Sequence, residues 1–226
     1  RVAGLHAVEA ALLRHPERIL AAWVDADRVD RRLSAVTDAL GRLGIRPQAA
    51  HRGRLDALAE GQAHQGVVIE MTLPAELDEH ALQTALEAPG PALLFLVLDH
   101  GQDPHNLGAC LRTADAAGVQ GVVLTRDQAA GITPVVAKVA SGAAETMPIY
   151  RVTNLARTLG WFREAGLWLV GAAGEAERTV YEVDLALPLV LVIGAEGKGL
   201  RRLTRERCDW LVRLPVSGTV ESLSVS

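Results

Sequence analysis

The chain has 226 residues with 23 basic and 27 acidic side chains, a net charge of −4 that argues against coating nucleic acid through bulk charge and leaves room for a local basic patch. Apolar residues make up 49% and charged residues 22%, a globular composition that excludes a disordered chain. There is no run of about 18 apolar residues to span a membrane, and the opening Arg1-Val2-Ala3-Gly4-Leu5-His6 has no signal-peptide core. With only Cys110 and Cys208 as cysteines, a reducing, cytoplasmic setting is expected.

In chain order, Leu5, Val8 and Leu12 recur at helical spacing and Ile19-Leu20-Ala21-Ala22-Trp23-Val24 reads as a strand. Leu33, Val36, Leu40 and Leu43 form a second helical stripe with Gly44 as its stop, and residues 66–71 read as a closing strand. This predicts a small α/β sandwich over residues 1–72. Residues 73–91, with Pro74, Pro89, Gly90 and Pro91 around a short helical stretch, read as a linker.

From residue 92 the rhythm sharpens. Leu93-Leu94-Phe95-Leu96-Val97-Leu98 is continuously apolar, as a strand buried on both faces requires. A helix over about 106–117 follows, with Asn106 as its cap and Gly118 as its stop, and then a strand at 121–124. Thr133-Pro134 opens another helix, Thr153 or Asn154 caps the next, and strands are expected at 168–170, 189–193 and 210–213. Strand–helix alternation of this kind favours a parallel sheet with helices on both faces.

Three segments follow buried strands, where ligands gather in open parallel sheets. In the first, Asn106 and Arg112 read either as a capped helix meeting an anion or as a cap with a surface arginine. His100, His105 and Cys110 nearby match no zinc spacing, so no metal is expected. The second, Gly194-Ala195-Glu196-Gly197-Lys198-Gly199-Leu200, reads as a tight turn or a close backbone approach to a ligand. Two residues, not four, separate Gly194 from Gly197-Lys198, so it is no Walker loop. The third, 214–226, offers hydroxyls and free amides or is a polar tail. Lys198, Arg201, Arg202, Arg205, Arg207 and Arg213 crowd six cations into sixteen residues, either a solvated helix face or a phosphate-contacting patch.

Together the three segments resemble the motifs of the SpoU (TrmH-like) family of knotted RNA ribose methyltransferases. The match runs through Asn106-Leu107-Gly108-Ala109-Cys110-Leu111-Arg112, then Ile193 to Leu200, then Leu214-Pro215 with Ser222-Leu223-Ser224-Val225-Ser226. Gly4-Leu5-His6-Ala7-Val8 and Ala63-His64-Gln65-Gly66 resemble the ends of the family's ribosomal-protein-like RNA-binding domain. Residues 103–108 and 141–157 resemble members that methylate a guanosine in the peptidyl-tRNA loop of 23S rRNA; tRNA-directed, resistance-type and non-catalytic RNA-binding members are the alternatives.

The resemblance implies an RNA substrate-binding domain over 1–72 and a trefoil-knotted α/β catalytic domain over 92–226. It also implies S-adenosylmethionine as donor, 23S rRNA or a pre-large-subunit particle as partner, and a homodimer. Carried over by motif position, Arg112, Asn106, Glu196 and Ser224 are the catalytic group. Gly194, Ala195, Leu214, Val216, Ser222 and Leu223 would lie against the cofactor, and Arg112, Lys198, Arg201, Arg202 and Arg205 against RNA. The family places Asn where Ser224 stands and continues into a helix beyond Ser226, so that helix is expected to be missing from this stretch.

Overall fold

A computed structural model describes residues 1–28, 30–72, 75–87, 93–100, 103–126 and 131–216, in two compact units, Arg1–Leu73 and Pro74–Ser226. The first unit runs β1 (Val2–Ala3), α1 (Leu5–Arg14), β2 (Ile19–Asp25), α2 (Arg31–Arg42), β3 (Gln48–Ala50), α3 (Arg52–Ala59) and β4 (Val67–Met71). Among the described residues its sheet has the order β1-β4-β2-β3, with β2 and β3 parallel and the other pairs antiparallel. Alternation along β4 divides its side chains between the two faces. Val67 and Ile69 pack with Leu5 and Val8 of α1 and Leu33, Val36 and Leu40 of α2, while Val68 packs with Leu55 and Leu58 of α3. Leu43, expected to continue the apolar stripe, is 44% exposed, because α2 ends at Arg42 and the chain turns through Gly44 at φ +76°.

The second unit runs α4 (Glu79–Glu87), β5 (Leu94–Asp99), α5 (Pro104–Ala116), β6 (Gly121–Thr125), α6 (Pro134–Ala140), α7 (Ala143–Thr146), β7 (Ile149–Val152), α8 (Leu155–Glu164), β8 (Trp168–Ala172), β9 (Arg178–Thr179), β10 (Leu189–Gly194), α9 (Arg202–Arg207) and β11 (Trp210–Arg213). Its strands pair in parallel in the order β7-β6-β5-β10-β8-β11-β9. Both faces are covered, as the continuous apolar runs require. Phe95 and Val97 of β5 pack with Leu82 and Leu86 of α4 and Leu155, Leu159 and Phe162 of α8; Leu96 and Leu98 pack with Leu107 and Leu111 of α5 and Val136 of α6. α4, inside the stretch read as a linker, thus contributes to this unit's core.

The caps explain where the helices begin. Thr133 accepts from the Val136 N–H with Pro134 at the first helical position, and Asn154 accepts from the Arg157 N–H. Asn106 is not the cap of α5. That helix starts two residues earlier, where Asp103 accepts from the His105 N–H at 2.8 Å and Pro104, which has no N–H to satisfy, takes the first position. Asn106 therefore sits inside the first turn, with its side chain released from capping. No described helix is long and apolar enough to cross a membrane. The knot implied by the resemblance depends on the chain's path to its end, and residues 217–226 lie outside the described residues.

Candidate active site at the carboxyl edge of the parallel sheet

From β5 the chain steps outward to β6 and β7, then returns to the other side of β5 with β10, β8, β11 and β9. The strand order reverses between β5 and β10, and at such a switch point the connections diverge and leave a crevice outside the carboxyl ends. There Asp99 and Gly194 lie side by side in register. The first motif segment leaves β5 toward α5, the second leaves β10, and Leu214 to Val216 leave β11 at the same edge. With strands about 4.8 Å apart, the three exits span roughly 15 Å.

Asp99 is completely buried and was not singled out from the sequence. Arg201 donates its backbone N–H to Oδ2 at 2.8 Å and its Nε–H to Oδ1 at 2.6 Å, which ties the far end of the 194–201 loop to the end of β5. The chain then turns sharply, with His100 at φ +123°, a conformation L residues rarely adopt. A buried polar residue ending an apolar run was the only available signal in the sequence.

The glycines of the second segment are accounted for by the loop itself. The Ala195 carbonyl accepts from the Gly199 N–H at 2.9 Å, and Gly197 and Gly199 hold φ of +73° and +64°. A Cβ on Gly194 would lie 2.1 Å from the Gly199 carbonyl carbon, so the loop can fold back on β10 only over a glycine. This closed turn presents Glu196 and Lys198 to solvent and keeps Gly194 buried beneath it. Gly108 is likewise a packing residue: its Cβ would meet Val139 Cβ at 2.6 Å and the Val136 carbonyl at 2.9 Å, where α5 crosses α6. Gly108→Ala should cost about 1–3 kcal/mol by overpacking, seen as a lowered midpoint in denaturant unfolding.

The α5 helix and the 194–201 loop share an electrostatic neighbourhood. Burial, and next the Glu196 carboxylate, push the Cys110 thiol up to about 11, which keeps it protonated and makes it a poor nucleophile at neutral pH. Arg112, one turn beyond Ala109 on α5, is exposed and has no ion-pair partner among the described residues; Asn106 is half-buried. Leu214 and Val216 remain 54% and 40% exposed, apolar surface at the edge where a ligand would cover it. Ser222, Leu223 and Ser224 lie outside the described residues.

The cations of 198–213 divide. Arg201 is held by Asp99, Arg202 pairs with Glu206 and Arg205 with Glu175, so much of the local positive field expected from the sequence is neutralised within the chain. Lys198 and Arg207 have no ion-pair partner among the described residues. A groove of about 500 Å³ lies beside β11, lined by Glu175, Glu177, Arg178, Arg205, Asp209 and Trp210 among others. Among the described residues, no three His, Cys, Asp or Glu side chains are grouped to hold a metal ion.

The SpoU rRNA methylase family model matches residues 93–226, and the model for the RNA 2′-O ribose methyltransferase substrate-binding domain matches residues 1–77. The chain belongs to the SpoU family. Among its SpoU relatives, the 23S rRNA (guanosine-2′-O-)-methyltransferase RlmB of Pseudomonas aeruginosa is 51% identical over 226 residues, covering 100% of this chain and 91% of the relative. RlmB of Shewanella oneidensis is 51% identical over 223 residues, covering 99% and 90%. In architecture the chain is similar to the AdoMet-bound rRNA methyltransferase of Sinorhizobium meliloti, with a TM-score of 0.78 at 24% identity over 99% of this chain and 81% of that one. That likeness bears out the α/β SpoU fold with its parallel sheet.

Proposed function

We propose that this chain transfers a methyl group from S-adenosylmethionine to the ribose 2′-hydroxyl of a guanosine in 23S rRNA. The observation that carries the reading is the convergence of the first two motif segments and the described start of the third, Leu214 to Val216, on one sheet edge, in a chain about half identical to RlmB enzymes over its full length. The donor fits this edge. Exposed Leu214 and Val216 offer apolar cover, and the Gly194–Gly199 turn brings the backbone of the second segment to the same edge. When bound, S-adenosylmethionine supplies an electrophilic methyl; Gly194, Ala195, Leu214 and Val216 would hold it, joined by Ser222 and Leu223.

A ribose hydroxyl is a weak nucleophile at neutral pH, so the protein must align it and stabilise negative charge as its proton departs. Alignment alone contributes roughly 7–11 kcal/mol. A guanidinium stays protonated in proteins, which suits Arg112 to stabilising the developing alkoxide and gripping the adjacent phosphate while the proton leaves to phosphate or water. Asn106 and Glu196, with Ser224, would orient the hydroxyl, and Lys198 with Arg201, Arg202 and Arg205 would face RNA. Action on rRNA or a pre-large-subunit particle in the cytoplasm, as a homodimer, completes the proposal.

The test is methyl transfer from labelled S-adenosylmethionine to 23S rRNA or large-subunit precursors, followed by mass mapping. A 2′-O-methylguanosine at one 23S position is expected. Label on a base, or on tRNA with none on 23S rRNA, would overturn the reading.

A further inference from the structure

The first unit contains ten arginines and nine carboxylates, and its positive charge is unevenly spent. Arg1 pairs with Glu60, Arg28 with Asp30 and Arg32 with Glu9, and Arg18 donates to the Thr72 carbonyl. Between Leu43 and Leu55 the composition changes: Arg46, His51, Arg52 and Arg54 occur with no carboxylate among thirteen residues. All four side chains are exposed, and the three arginines have no ion-pair partner among the described residues. The next carboxylate along, Asp56, is bound by His64 Nε2 at 3.1 Å.

The fold places these neighbouring residues at one edge of the sheet. They flank β3, which among the described residues lies at one edge of the sheet and pairs only with β2, and they continue into the first turn of α3. Gln48 and Ala49 along that strand are exposed. His51 is fixed there, its Nδ1 accepting the Arg54 N–H as the helix cap. The edge therefore presents unneutralised guanidinium groups on a unit that is otherwise acidic. A polyanion would be repelled by the rest of that surface within a Debye length of about 8–10 Å and attracted at this edge.

We propose that the Arg46–Arg54 edge of the first unit is the face that grips the sugar–phosphate backbone of the RNA. The inference rests on the reading of the chain as an rRNA methyltransferase and assigns the cations that position the substrate. Arginines flanking an edge strand suit backbone contact, which sets register without reading bases. Trp23, the nearest aromatic on β2, is held by its own Nε1–H bond to Gln48 Oε1 at 3.2 Å.

The experiment compares the full chain with Arg46→Ala/Arg52→Ala/Arg54→Ala and with the corresponding triple lysine variant, measuring binding to 23S rRNA transcript across salt concentrations and methyl transfer in parallel. The alanine triple should bind at least about tenfold more weakly, with the slope of log K against log salt reduced by about 2–3. Its melting temperature and its affinity for S-adenosylmethionine should not change. The lysine triple should recover the slope, because counterion release follows charge. Unchanged RNA affinity and slope in the alanine triple, with wild type methylating normally, would overturn the assignment of this face. A wild type that loses RNA binding with the alanine triple but transfers no methyl would uphold the face and overturn the functional reading.

Discussion

Arg112→Ala lowers the rate of methyl transfer by about 10²–10³-fold, the loss expected when one preorganised donor to a developing oxyanion is removed. The side chain is exposed and makes no ion pair among the described residues, so its removal should change stability by no more than about 0.5 kcal/mol. Affinity for S-adenosylmethionine should stay near that of wild type, because the residues expected to hold the donor leave β10 and β11, whereas Arg112 rides on α5. Single-turnover transfer, a thermal melt and calorimetry separate these effects. Arg112→Lys discriminates further: an ammonium keeps the charge and loses the planar fork, so a rate between those of wild type and alanine assigns part of the effect to bidentate geometry. A rate within a few-fold of wild type for the alanine variant would remove Arg112 from the chemistry.

Arg112 and Arg201 illustrate what could be read from sequence and what could not. Arg112 ends the first motif segment and Arg201 directly follows the second, and both were expected at the RNA. Only the fold shows that Arg201 is engaged by a carboxylate 102 residues earlier, whereas Arg112 is not engaged by any described residue. The sheet itself was legible, because Leu94–Leu98 and Leu189–Ile193 are unbroken apolar runs that only a doubly covered strand accommodates. β3 was not, since Gln48-Ala49-Ala50 carries no β-branched or aromatic side chain and forms only by pairing with β2. β7 was too short to show its alternation, and α3 has only two buried leucines to mark its face. At α5 two capping candidates compete within four residues, and Pro104 decides for Asp103. The motif glycines were visible as glycines, but whether they face a ligand or their own loop depends on distances such as that from Gly194 to Gly199.

Asp99→Ala tests whether the candidate active-site edge depends on that long-range pair. The carboxylate is fully buried, while the Arg201 side chain is 37% exposed and can rehydrate when its partner is removed. The expected loss of stability is therefore about 2–4 kcal/mol, below the 3–5 kcal/mol typical when a fully buried pair is broken. Asp99→Asn keeps an oxygen for one of the two Arg201 donors and should lose less, since a neutral acceptor replaces a charge-assisted one. The consequence extends beyond stability, because Arg201 anchors the far end of the turn that carries Glu196 and abuts β10 at Gly194. With that anchor gone the 194–201 loop is held at its β10 end and by its internal turn, so the affinity for S-adenosylmethionine should fall together with the transfer rate. This joint loss differs from the rate-only loss at Arg112. Calorimetric titration on the folded Asp99→Asn variant decides the point: unchanged donor affinity despite a lowered melting temperature would make the pair a stabilising contact with no part in positioning the loop.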